Sequence, residues 1–505
     1  MDAERTPVIV GVGQVNDRPA DPAEGMDPVA LMAEALRRAD DDAGGGWLAN
    51  CDSLAVVRQI AWPQLDPIDG VVAEALGIAP AHREQTASPN GDSPVRLLNE
   101  AANRIGAGHA RVCAIVGGEA LRTANQRLAA LPRGDGDRPN ALRDSPHRAR
   151  TGYAQDHGLV LPVDVYPLYE NAIRHRLGQT LAEGQAETAA MWALMSEVAA
   201  GTPEAWIGEA VTPEAVITPG ISNRPIAFPY TKLQVANASV NQGAAFLVTS
   251  LAEARRRGVA EDRLVYVGHG AAAHESENFL ERDSYAASPS LAVSIERCLA
   301  MNGVTAADLA HVELYSCFPC VPKLARRVLG WPLEKPITVF GGLTFGGGPI
   351  GNYMSHAVAC MVEKLRATGG TGLLFANGGY ATHNHTIVLS ADPIGAAFPQ
   401  DFDCQADADA RRGPIPPLDE DYTGPATLET WTVHFDRTGE PWLGTVVAQT
   451  PYGSRTLAVV PAQDRASLKR LLDVAVEPIS HPGSIFLGLA GNRLWRFGTE
   501  PGSPI

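Results

Sequence analysis

Two successive runs of strand-like and helix-like segments restrict the fold of this chain more than any other feature. PVIVGVGQV (7 to 15) is apolar on both faces, as a strand covered on each side must be, and DPVALMAEALRRADDDAG follows with the spacing of an amphipathic helix. CDSLAVV, RVCAIVGGEA (111 to 120) and GAAFLVTS (243 to 250) add strands. The second run opens with RLVYVGHGAA (263 to 272) and continues through the helix SPSLAVSIERCLAMNGV and the strand AHVELYSCF (310 to 318). It ends with a glycine loop, a helix, and TGLLFANGGYATHNHTIVLS, a strand pair around a tight turn. Alternation of this kind predicts an α/β fold with a mainly parallel sheet, and its repetition predicts a duplicated half at 1–255 and 256–392.

Two stretches stand outside this pattern. Residues 125–232 interrupt the first half with helical and loop sequence, including VDVYPLYENAIRHRLGQ, and an excursion of this length is usually a lid or a substrate-binding insertion. After Ser390 the sequence turns rich in Asp, Pro and Ala without periodicity, which reads as a linker over 393–414. Residues 415–505 then carry about five short strands and one helix (RASLKRLLD), the content of a small OB-like β-barrel. Its few aromatic-plus-basic clusters favour a protein-interaction or substrate-covering role over nucleic acid binding.

Charge and composition remove whole classes of function. A net charge of −16 and a pI near 5.3 oppose a surface for nucleic acid, although Arg143, Arg148 and Arg150 could meet a small anion. The start MDAERTPVIVGVGQV turns directly into a strand, and no apolar run reaches membrane-spanning length, so a cytoplasmic protein is expected. Seven scattered cysteines fit a reducing compartment. Cys317-Phe318-Pro319-Cys320 has redox or half-zinc spacing, but no second pair stands at a matching distance, and no metal is expected.

The stretch GGLTFGGGPIGNYMSH (341 to 356) is a tight loop feeding a helix N-terminus. Gly348-Pro349-Ile350 stands where a P-loop would need Gly-Lys-Ser/Thr, and Gly346-Gly347-Gly348 with Gly351 meets a dinucleotide fingerprint only loosely. A nucleotide loop is therefore a poor reading of it.

Four segments together resemble the thiolase superfamily over residues 1 to about 392, nearest to the sterol-carrier-protein-type thiolases and their mycobacterial thiolase-like relatives. They are VANASVNQGAAFLV (235 to 248), HVELYSCF, GGLTFGGGPIG and ANGGYA, in the family's order. The resemblance implies a duplicated five-layer αβαβα fold and an acyl-CoA thioester as ligand, with no permanently bound cofactor. It also marks three departures. Gly91, in SPNGDSP, falls at the position of the acyl-accepting cysteine, Gly348 at that of the Gly-His-Pro histidine, and Ala376 at that of the acid/base cysteine. Glycine cannot be acylated, so covalent thiolase chemistry is not expected.

Tyr315, Tyr380, His356, His383 and Cys317 remain as candidate catalytic groups, with Asn90, Gly91, Ser239, Gly347, Gly348, Pro349, Gly378 and Gly379 lining the ligand. Tyr315 and Tyr380 lie on the segments where related acyl-CoA aldolases are thought to carry an acid/base pair, and His383 would have to stabilise a phenolate. A packed core role is the competing reading for Tyr315, and a helix cap for His356. His383 and His385 alternate on a strand and so share a face, a metal-pair spacing without a third ligand. Three classes follow: non-covalent aldol or Claisen-type chemistry on acyl-CoA, an acetyl-CoA acetyltransferase-type reaction through Cys317, or a non-catalytic acyl-CoA-binding scaffold with a protein partner on the barrel. Both a monomer and a homodimer are compatible with the sequence.

Overall fold

The computed structural model describes residues 2–131, 140–141, 152–489 and 491–498; the basic cluster at Arg143, Arg148 and Arg150 lies outside the described residues. The first half runs β1 (Pro7–Asn16), α1 (Pro28–Asp42), β2 (Ser53–Val57), α2 (Ile68–Leu76), β3 (His82–Gln85), α3 (Ser93–Ala107), β4 (Val112–Ala120) and α4 (Leu121–Ala129). Then come α5 (Tyr153–Asp156), α6 (Pro162–Arg176), α7 (Leu181–Ala200), α8 (Pro213–Ile217), β5 (Pro225–Ala227) and β6 (Tyr230–Thr231), before β7 (Asn241–Ser250) and α9 (Leu251–Arg256). The second half is β8 (Val265–His274), α10 (Pro289–Asn302), β9 (Leu309–Leu314), α11 (Cys320–Leu329), α12 (Tyr353–Thr368), β10 (Thr371–Gly378) and β11 (His383–Ser390).

Local chemistry fixes these elements. Asp27 caps α1 by accepting from the Ala30 N–H, and Pro28 opens it, where a missing donor costs nothing. Its apolar face, with Leu31, Leu36 and Ala39 buried, packs on the outer side of β1, β4 and β7.

Nine strands form one sheet in the order β3-β2-β4-β7-β1-β8-β11-β10-β9. The duplication is explicit in this order: in each half the first strand lies beside the last, which lies beside the one before it. The sheet is mixed rather than mainly parallel. Only β2–β3, β2–β4 and β9–β10 are parallel, because β7 and β11 return antiparallel to both neighbours. A buried returning strand carries the same apolar run as a parallel one, so the sequence pattern does not separate the two. Helices α3 and α12 touch strands of both halves and form the central layer, while α1 and α2 cover one outer face and α10 the other. This is the expected five-layer arrangement.

The segment read as a linker is packed along the body. Phe398 lies against Gly106 at the end of α3, and Ala272 of β8 donates to the Phe402 carbonyl (2.7 Å) and accepts from the Cys404 N–H (2.8 Å). After α13 (Gln405–Arg411), strands β12 (Gly424–Phe435), β13 (Pro441–Gln449), β14 (Arg455–Pro461), β15 (Pro482–Leu487) and β16 (Arg493–Phe497), with helix α14 (Arg465–Leu471) after β14, make a closed barrel. Its order is β13-β14-β16-β15-β12, and β12 pairs with β13 to close it. Trp431, Trp495, Val446 and Leu468 fill its centre.

The barrel is bonded to the insertion. The Phe228 N–H donates to the Val433 carbonyl (2.8 Å), the Asn171 side chain to the Trp431 carbonyl (2.9 Å), and Thr430 Oγ1 to the Leu168 carbonyl (2.6 Å). Arg455, with no solvent exposure, pairs with Glu429 and donates to the carbonyls of Leu280 and Arg282, at 2.6 Å each. A second buried ion pair, Lys323–Glu170 (2.5 Å), ties α11 to α6; Tyr230 donates to Glu170 and Lys323 to the Gly184 carbonyl.

Candidate functional site

Five segments meet where the N-termini of α3 and α12 approach each other. The Ala236 N–H donates to the Cys317 carbonyl (3.0 Å), Asn237 N–H to Leu343 (3.0 Å), Gly348 N–H to Asn237 (2.9 Å), and Tyr315 N–H to Phe375 (3.1 Å). Ser316 Oγ accepts from the Leu343 N–H at 3.2 Å. Gly351, at φ +75°, lies against Pro89, where an added Cβ would come within 2.8 Å of the backbone. Its glycine is thus a condition for the loop to touch the segment before α3. The four motifs that carry the resemblance are therefore one site.

At its centre Gly91 faces Tyr315. A Cβ built on Gly91 would overlap both the Asn377 carbonyl oxygen and the Tyr315 hydroxyl. The phenol fills the space that any side chain at position 91 would need. Tyr315 is 8% exposed, rests edge-on against Tyr353 (5.9 Å, 88°), and its hydroxyl makes no hydrogen bond among the described residues. Burial pushes its pKa well above the ordinary phenol value, and Cys317 and Asp92 add to the shift. Burial thus holds Tyr315 as the neutral phenol, and no contact with His383 stabilises a phenolate.

Sequence reasoning missed Asp92. It is buried at the start of α3, makes no capping bond, and lies close to Gly378, whose added Cβ would stand 2.7 Å from Asp92 Oδ1. Burial raises its pKa against the opposing pull of His383 and Arg96. The available signal was an acid directly after Gly91 and before a helix-opening Ser-Pro, which reads as an ordinary helix cap.

The other candidates are distributed more widely. His383 is a quarter exposed and its Nε2 stands 2.7 Å from Glu277. Tyr380 is half-buried, with its ring 5.0 Å from Phe279 and its hydroxyl 3.5 Å from the Val160 carbonyl. His356 is fully buried: Nδ1 is 2.8 Å from Gln14 Oε1, the ring stacks on Phe340, and burial lowers its pKa to about 3. Phe340 and Tyr353 stand in series between it and Tyr315. His385 is buried on Asn99, so it and His383 share no ligand, and among the described residues no group of three or more His, Cys, Asp or Glu could hold a metal.

The lining residues also separate by exposure. Gly347, Gly348, Pro349, Gly91 and Gly378 are buried, Asn90 is half-buried, and Ser239 and Gly379 are exposed. The Gly348 N–H is already spent on Asn237, whereas the N–H groups of Gly91 and Gly347 have no acceptor among the described residues.

Cys317 is buried beside Tyr166, and burial pushes its thiol up to about 12. Cys320 is also a free thiol, raised well above its usual range by burial. A thiol reacts as its thiolate, so Cys317 is expected to stay unmodified by iodoacetamide at pH 7.5 in the folded protein. Half-buried Cys404 should be alkylated first, and peptide mapping by mass spectrometry reads the order.

Fold and site define a thiolase-fold protein whose motif segments carry Gly91, Ala376 and Gly348. The family described as "Thiolase-like protein type 1 additional C-terminal domain" matches residues 406–484. Among solved structures, a monomeric SCP2-thiolase like protein type 1 from Mycobacterium smegmatis is 32% identical, covering 98% of this chain and 99% of that one, with a TM-score of 0.81. This chain belongs to the SCP2-thiolase-like protein type 1 family. The fold alone is shared with an Ltp2-ChsH2(DUF35) aldolase (18% identity, 77% of this chain and 99% of that one, TM-score 0.58). It is also shared with human mitochondrial 3-ketoacyl-CoA thiolase in complex with CoA (13% identity, the same coverage, TM-score 0.58). A search of curated proteins gives no match.

Proposed function

We propose that this chain binds an acyl-CoA thioester and assists carbon–carbon bond chemistry of the aldol or Claisen type without forming an acyl-enzyme. One observation carries this reading: the Tyr315 phenol occupies the side-chain space at Gly91, so a proton donor stands where a thiolase holds its nucleophile. In a retro-aldol step on a β-hydroxyacyl thioester, Asp92 takes the hydroxyl proton and the carbon–carbon bond breaks to a carbonyl product and a thioester enolate. Tyr315 and the free N–H groups of Gly91 and Gly347 bond the enolate oxygen, and the proton returns to the α-carbon. No electron acceptor is needed. The burial that raises the Tyr315 pKa keeps its O–H in place as a hydrogen-bond donor to the enolate oxygen, and burial also raises Asp92, making it a stronger base than an ordinary carboxylate.

Transfer through Cys317 fits less well, because its thiol is buried and raised to about 12. A second reading, an acyl-CoA binder without turnover, is favoured by Tyr380, whose hydroxyl is directed to Val160 rather than left open for substrate. Under that reading the barrel would serve a protein partner, as the sequence suggested. No helix among the described residues is long and apolar enough to cross a membrane.

The test is a panel of acyl-CoA and β-hydroxyacyl-CoA esters followed by melting temperature and product mass. Cleavage is expected with at least one ester. Tyr315→Phe is expected to lower the cleavage rate about 10²–10³-fold while leaving ligand stabilisation intact. Stabilisation without product from any ester would select the binder, and added acyl mass on Cys317 would overturn the non-covalent reading.

A further inference from the structure

Arg18, just past β1, and Arg122, at the start of α4, stand over the same indole. Their guanidinium carbons are 4.7 Å and 5.5 Å from the centre of the Trp206 ring. The two carbons are therefore no more than about 10 Å apart, about one Debye length at 0.1 M salt. Trp206 is held in place: its N–H donates to the Gly346 carbonyl (2.9 Å) and the next N–H, of Ile207, to Phe345 (2.7 Å). Arg18 is steered by Nε to Asn16 Oδ1 at 3.3 Å and by its guanidinium to the Ala205 carbonyl.

Neither guanidinium has a carboxylate within 4.0 Å among the described residues. Arg58, Arg366 and Arg455, by contrast, each hold a close carboxylate. Asp17, the sequence neighbour, is engaged instead by the Met26 N–H (2.8 Å) and the Asn241 side chain (3.3 Å). Partial burial, and then Arg122, lowers the pKa of Arg18, so the charge that weighs on it is of its own sign. Two like charges fixed over one ring repel each other, and a bound anion would convert that repulsion into attraction. Arg18 is exposed, while Arg122 and Trp206 are half-buried, so the group is open to a ligand.

We propose that Arg18, Arg122 and Trp206 form a binding site for the phosphate or diphosphate group of a small molecule, set beside the glycine loop at Gly346. Guanidinium forks match phosphate oxygens, and the indole lies within cation–π distance of both. The site rests on none of the chemistry proposed above, so it stands or falls separately.

Isothermal titration with inorganic pyrophosphate, and in parallel with inorganic phosphate, tests it on the full chain. One saturable site is expected, with affinity for pyrophosphate falling about tenfold or more in Arg18→Gln and in Arg122→Gln. Matched melting temperatures of the variants without ligand keep the comparison free of unfolding. Displacement of pyrophosphate by CoA would support the site with CoA's own phosphates as the source, and simultaneous binding would support it with a separate phosphorylated ligand. No saturable binding to the unmodified protein, or equal binding by both glutamine variants, overturns the proposal.

Discussion

Gly91→Ala is expected to destabilise the protein by about 1–3 kcal/mol, read as a lower melting temperature, although it adds a single methyl group. The methyl carbon would overlap a backbone oxygen at the end of β10 and the hydroxyl and ring of Tyr315, and neither neighbour is the free end of a flexible chain. Tyr315→Ala, which removes the ring, should absorb part of the cost. The double variant is then less destabilised than the two single losses added together, the signature of a direct contact. Gly91→Cys carries the argument to function. Treated with acetyl-CoA, it is expected to gain no acetyl mass, because restoring the thiol does not restore the space in front of it. An acetylated Gly91→Cys protein would mean that Tyr315 swings aside, and would undo the claim that the phenol has replaced the nucleophile.

Lys323→Met should cost more, about 3–5 kcal/mol, since it leaves Glu170 charged and unpaired in the interior. Lys323 and Glu170 are 2% and 3% exposed, and solvent cannot reach in to compensate. Removing both charges together, in Lys323→Met with Glu170→Gln, should recover much of the loss, because a buried pair is worth little beyond its own desolvation. Thermal melts of the three variants measure this. A loss below about 1 kcal/mol for Lys323→Met would show that the pair contributes little to stability.

The fold was legible in the sequence to the extent that burial sets composition. β1, β4, β7, β8 and β10 are covered on both faces, and their apolar runs announced them. Strand direction was not legible, since β7 and β11 carry the same residues whichever way they run. The segment at 393–414 is polar enough to read as a linker, yet its backbone is bonded to β8, and backbone bonds leave no trace in composition. At the site, the glycines and Tyr315 could be named one by one. What could not be read was that Tyr315 fills the space at Gly91, which depends on how two distant segments meet. Asp92 was passed over because an acid at a helix start has an ordinary explanation; its burial and its failure to cap are what remove that explanation.

The bonding of the barrel to the insertion has a consequence for the order of synthesis. Asn171 of α6 finds its acceptor in Trp431, 260 residues later, and Thr430 reaches back to Leu168 across 262. A ribosome adding roughly 5–20 residues per second delivers β12 about 12–50 s after α6. Through that interval the face of α6 that will meet the barrel has no cover from its own chain. The last hundred residues then act as a clasp, closing over a helix made long before them.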